Sequence, residues 1–274
     1  MYISSYRLKT MANVQRLLDQ LQPEAVACAL CMPGTKTPRG NIIIFTGSFN
    51  PPTNAHLALL KQGQVYADQH ADMHLYTAFS KRTVDKEGLE RPLLLDRALL
   101  LHTILQKRLP HAGMLLFNRG LYLEQAQAIR NSFPRVKRIL FLMGYDKIVQ
   151  IFDPRYYEDR DAALDALFSL AELLVVPRGN GGKQEMQELL QRPENRRYAR
   201  YVIIHSFNPI YREISATRVR QGGFEAGNDT MQEVRRFMRY TRAYAPALQR
   251  RGRREIDYYR QRVQYLRDHI GHVS

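Results

Sequence analysis

The stretch Asn41-Ile-Ile-Ile-Phe-Thr-Gly-Ser-Phe-Asn-Pro-Pro-Thr-Asn-Ala-His56 decides the fold. Residues 42–45 are a short apolar run, mostly β-branched and with no polar alternation, as in a strand buried on both faces. A glycine ends the run, two prolines fix the path of the loop, and His56 falls at the start of the helix that follows. Similar runs recur at 74–78, 113–117, 136–143, 173–176 and 201–205. Between them lie helical patterns, the clearest being Leu94, Ala98, Leu101 and Leu105 at i, i+4, i+7 and i+11. Strands alternating with helices predict an α/β fold with a parallel sheet covered on both sides.

Around this centre the texture changes at both ends. Residues 1–40 read as a helical extension, with Val14, Leu17, Leu18 and Leu21 at helical spacing, followed by a turn-rich linker. Residues 41–226 carry the alternation and form the expected α/β domain, a Rossmann-like parallel sheet with helices on both faces. Residues 227–274 read as a basic helical region. From 231 onward there are eleven arginines, no lysine and four acids, a net +7 out of +15 for the whole chain. Tyr259, Val263, Leu266 and Ile270 suggest one apolar stripe against an arginine face. A solvated basic face on a packed helix is the reading taken, with a nucleic-acid or anionic-surface contact as the sharper alternative.

The 274 residues are 45% hydrophobic and 24% charged, enough to build a buried core, which excludes collagen-like, coiled-coil-only and disordered readings. No apolar run approaches the roughly 20 residues needed to cross a bilayer, and residues 1–10 lack an apolar signal core, so a cytoplasmic protein is expected. Cys28 and Cys31 form a lone C-x-x-C in an apolar setting and read as buried structural thiols. His70 and His74 have a zinc-compatible spacing only on one helix face, whereas the residues between them read as a helix-to-strand junction. No protein-held metal site is expected.

Ligands of open parallel sheets bind beyond the carboxyl ends of the strands. Those positions hold Gly47-Ser-Phe-Asn50, Ser80-Lys-Arg82, Asn118-Arg-Gly120, Gly144-Tyr-Asp146, Arg178-Gly-Asn180 and Ser206-Phe-Asn208. Turn chemistry accounts for the glycines and asparagines but poorly for Lys, Arg and Asp at the same edge. Two motifs point to phosphate. In Gly47–His56 a glycine lets backbone N–H groups approach an anion, and His56 stands at a helix N-terminus on a loop read as exposed. In Ile214-Ser-Ala-Thr-Arg-Val-Arg220, two hydroxyls and two guanidinium groups gather at another helix start, more than the N-cap Ser215 alone requires. Neither a Walker loop nor a G-x-G-x-x-G fingerprint is present.

In order and spacing, GSFNPPTNAH and ISATRVR resemble the nucleotidylyltransferase superfamily, and within it the nicotinamide/nicotinate mononucleotide adenylyltransferases, over about residues 41–226. Thr53 occupies the first histidine position of that family's pattern and His56 the second, and the cytidylyltransferase form of the second motif is absent, which favours ATP. The resemblance implies that Gly47, Ser48 and Phe49 line the phosphate site, with His56 on the ATP phosphates. It further implies that Ser215, Thr217, Arg218 and Arg220 bind the β- and γ-phosphates, His56 and Arg220 being catalytic, and that Gly144 and Asp146 hold the ATP ribose. Lys86 and Arg178 match basic positions near the mononucleotide. The family usually stacks tryptophan on the pyridine ring, and this chain has none. Tyr157 stands where one is expected, and Phe117 or Asn118 near the other.

The implied reaction joins AMP from ATP to nicotinamide or nicotinate mononucleotide and releases pyrophosphate, with Mg²⁺ carried by the ATP phosphates. The alternatives are another phosphorylated acceptor such as phosphopantetheine or a phospho-alcohol, a non-catalytic ATP-binding relative, and a nucleic-acid binder using the arginine-rich C-terminal region. A homo-oligomer is compatible with all of these.

Overall fold

The computed structural model of the chain describes residues 5–81, 92–177, 182–205, 230–244, 248–250, 253–255 and 258–270. In chain order the elements are α1 (Ser5–Gln20), β1 (Ala29–Cys31), β2 (Gly40–Thr46), α2 (Asn54–Asp68), β3 (Met73–Ser80), α3 (Leu94–Arg108), β4 (Gly113–Phe117) and α4 (Tyr122–Ser132). They continue with β5 (Val136–Gly144), α5 (Tyr145–Phe152), α6 (Arg160–Leu170), β6 (Glu172–Val176), α7 (Gly182–Gln191), β7 (Val202–Ile204) and α8 (Gln232–Thr241), then a hairpin of β8 (Leu248–Arg250) and β9 (Arg253–Glu255). Each of the six apolar runs read from the sequence is a strand, β2 to β7.

The apolar run at 42–45 lies in the middle of the sheet. Its period of two sends Ile43 and Phe45 into one core, with side chains of α1, α2, α3 and α8, and Ile42 and Ile44 into the other, with α4, α5, α6 and α7. Ile42, Ile43 and Ile44 keep no exposed surface. Burying each is worth roughly 1.5–3 kcal/mol, and that dual demand is why the run has no polar member. Gly40 is required where β2 begins. Its φ is +60°, a β-carbon there would lie 2.2 Å from the Asp72 carboxylate, and the pairing with β5 shifts register at that point.

One sheet runs in the order β1-β4-β3-β2-β5-β6-β7. Strands β2 to β7 pair in parallel, and β1 joins β4 antiparallel, closing one edge. Counted over the parallel strands alone the order is that of the doubly wound Rossmann sheet, so the fold is α/β and Rossmann-like. The chain reverses direction across the sheet between β2 and β5, which are neighbours. That reversal opens a crevice beyond their carboxyl ends.

Both terminal regions pack onto this sheet. Met11, Val14, Leu18 and Leu21 share a core with Phe45, Phe49 and Leu101, as do Met231, Val234 and Met238 of the C-terminal region. Helix α8 buries Val234, Met238 and Thr241 and turns Arg235, Arg236 and Arg239 outward. The stripe expected at 259, 263, 266 and 270 does not form. Backbone φ is positive from Tyr259 to Ile270, so those residues do not recur along a right-handed helix: Ile270 is buried while Tyr259 and Val263 face out. Among the described residues no helix is long and apolar enough to cross a membrane.

Candidate active site

The Gly47–His56 loop leaves β2 at the crevice. Gly47 N–H continues the ladder to Ala78 O at 3.2 Å, and Ser48 O accepts from the Arg97 guanidinium. Phe49 takes φ +42°, which turns its ring away from the crevice and inward against Phe45 (centroids 5.6 Å, nearly perpendicular) and His56 (5.2 Å). Phe49 is wholly buried, so what it offers a ligand is backbone, and its ring is core. Asn50 accepts from Tyr244 Oη–H at 2.6 Å. The expectation that this loop is exposed fails: residues 49–53 are all buried. The Tyr244 contact and the Met231, Val234 and Met238 side chains that share Phe49's core enclose it.

Helix α2 then begins with a reciprocal cap. Thr53 is the N-cap in extended conformation, and its Oγ1 accepts from His56 N–H at 3.4 Å. His56 Nδ1 in turn lies 3.0 Å from Thr53 N and 2.7 Å from Thr53 Oγ1. The imidazole is half-buried between Phe45 and Phe49, and burial lowers its pKa to about 4. The ring is therefore neutral at physiological pH.

Across the crevice β5 ends at Gly144, two residues beyond the Phe45–Leu142 pair, as Gly47 is on β2. Gly144 caps α5 from extended backbone, and a β-carbon there would meet nothing within 4 Å. This glycine borders open space. Asp146, in the first turn of α5, is exposed. Gly47, Ser48, His56, Gly144 and Asp146 thus stand at the ends of two adjacent strands flanking the switch point.

The expected aromatic platforms are placed differently. Phe117 is wholly buried in β4, because residues 22–28 and β1 cover the end of that strand. Asn118, also buried, is the strap that holds this cover. Its side chain accepts from Cys28 N–H at 2.9 Å and donates to Gln22 O at 3.0 Å and Val26 O at 2.9 Å. Tyr157 is half-buried with its hydroxyl tied to Ile151 O at 2.8 Å, whereas Tyr156 beside it is 55% exposed. Lys86, Arg178, Ser215, Thr217, Arg218 and Arg220 lie outside the described residues.

Other edge residues prove structural. Lys81 donates to Leu18 O at 2.8 Å near the end of α1, Ser80 accepts from Gln125, and Arg119 donates to Ala25 O at 3.0 Å. Cys28 and Cys31 are unbonded and half-buried, and burial raises both thiol pKa values, Cys31 to about 11, which keeps them protonated and unreactive. His70 bonds to Tyr66 O at 2.7 Å and stacks on its ring, apart from His74. Among the described residues no three His, Cys, Asp or Glu side chains gather as metal ligands.

Arg97 escaped the sequence reading. It is 2% exposed, holds Ser48 O and lies 4.8 Å over the Phe79 ring, so a buried guanidinium braces the start of the Gly47–His56 loop. Its signal is the pair Asp96-Arg97 interrupting an otherwise apolar run at the start of α3. Asp96, equally buried, accepts from Tyr258 and from Arg262 Nε.

No family model matches the chain, and no curated protein matches it.

Proposed function

We propose that this protein is an adenylyltransferase that moves AMP from Mg²⁺–ATP to nicotinamide or nicotinate mononucleotide. The observation that carries the reading is the placement of Gly47–His56 beside Gly144 and Asp146 at the switch point, where such sheets bind nucleotides. A phosphate oxygen of the mononucleotide attacks the α-phosphorus of ATP, the bond to the bridging oxygen breaks, and pyrophosphate leaves with the electron pair. The nucleophile is already anionic, so no general base is needed. The protein's work is alignment and charge stabilisation, by the N-terminus of α2, His56 and the arginines of 214–220. Mg²⁺ arrives on the ATP phosphates as part of the substrate. Asp146 is assigned to the ATP ribose.

A second reading, transfer to another phosphorylated acceptor, is favoured by the aromatic residues. The chain has no tryptophan, Phe117 is in the core, and Tyr157 is tethered by its hydroxyl. Pyrophosphate release from Mg²⁺–ATP with each mononucleotide, His56→Ala serving as the blank, separates the two. Dinucleotide formed by the wild type and lost in the variant supports the first reading. Saturable ATP binding without turnover on either mononucleotide moves the acceptor to phosphopantetheine or a phospho-alcohol.

A further inference from the structure

The hydrogen bonds of the α2 cap contain a directional constraint. Thr53 N lies 3.0 Å from His56 Nδ1, and a backbone amide can only donate. Nδ1 must therefore be the lone-pair nitrogen, and in a neutral imidazole the one proton then sits on Nε2. Thr53 Oγ1 fits the same assignment, since it accepts from His56 N–H and can turn its own hydroxyl proton toward Nδ1, 2.7 Å away. One threonine thus fixes which ring nitrogen is the donor and holds the ring plane, while Phe45 and Phe49 flank it.

We infer that Thr53 is a positioning residue that locks His56 as a neutral Nε2–H donor aimed at phosphate. The inference rests on the adenylyltransferase reading for its consequence in turnover, but the tautomer is a property of the protein alone. With Nδ1 committed to Thr53, His56 neither takes nor releases a proton during the reaction. It supplies a fixed dipole to the charge that develops on the phosphates. A threonine at this position is then a working part of the donor, through its backbone N–H and its hydroxyl.

The test is long-range ¹H–¹⁵N correlation on histidine-labelled full chain, with His56 assigned by loss of its signals in His56→Ala. An unprotonated Nδ1 and a protonated Nε2 at pH 7 are expected. Thr53→Ala keeps the backbone N–H and with it Nε2–H, but loses the hydroxyl that holds the ring, and should lower kcat about tenfold with KM for ATP within twofold, a part of the roughly 10²–10³ lost when a donor is removed altogether. Thr53→Ser should restore kcat. Nδ1–H in the wild type, or a Thr53→Ala enzyme with unchanged kcat, overturns the inference. A wild type that shows Nε2–H yet transfers no adenylate overturns the adenylyltransferase reading and leaves the pairing standing.

Discussion

At the scale of the residue, His56 is where chemistry and stability meet. Replacing it with alanine is expected to leave the fold intact and lower turnover by about 10²–10³, the cost of one transition-state donor, read as kcat in the pyrophosphate assay. Its titration has a second consequence. The folded-state pKa is about 4 against 6.5 for the free side chain, so between those pH values the unfolded chain binds the extra proton. Stability therefore falls as pH drops from 6.5 to 4, by about 3 kcal/mol for 1.36 kcal/mol per pH unit. Urea unfolding of wild type and His56→Gln across that window should show the difference narrowing as the pH is lowered, and a parallel pair of curves would contradict the buried neutral ring. His56 was legible because its motif is local. Arg97 was not, because its partner Ser48 lies 49 positions away and periodicity carries no pairing.

At the scale of the element, strands β2 to β6 were readable because parallel strands buried on both faces leave continuous apolar runs, and β7, half-buried at the sheet edge, because Val202-Ile-Ile204 is β-branched throughout. Strand β1 was not: its three residues lie in an apolar stretch, 25–32, that is poor in β-branched and aromatic residues, and the strand exists because β4 offers it an edge. The same cover misled the reading of Phe117, whose burial depends on residues 22–31, far from it in sequence. Asn118→Ala should cost about 1–3 kcal/mol by stranding the Cys28 N–H and the carbonyls of Gln22 and Val26, measured as a shift in the urea midpoint. The hairpin of β8 and β9 inside a stretch read as helical has a related cause. Alternation over three residues is too short to be seen, and arginine-rich segments such as 248–250 and 253–255 carry no apolar strand signal.

At the scale of the molecule, the C-terminal region belongs to the core that carries the loop. Met238→Ala should lower stability by about 2–5 kcal/mol, as expected of a core truncation rather than of a surface tail. Removing everything after residue 230 should abolish the cooperative thermal transition, so loss of polyanion binding in such a truncation would report unfolding; a truncated chain that melts sharply at the wild-type temperature would contradict this. The antiparallel β1 also bears on how the protein is made. Residues 29–31 are synthesised before 113–117, their partner strand among the described residues, which must itself be laid beside β3. Loop closure over such a separation is slow, so β1 docks only after the strand that receives it has been made. Until it does, the nascent chain carries this segment unpaired, a site that a chaperone binding nascent chains could hold.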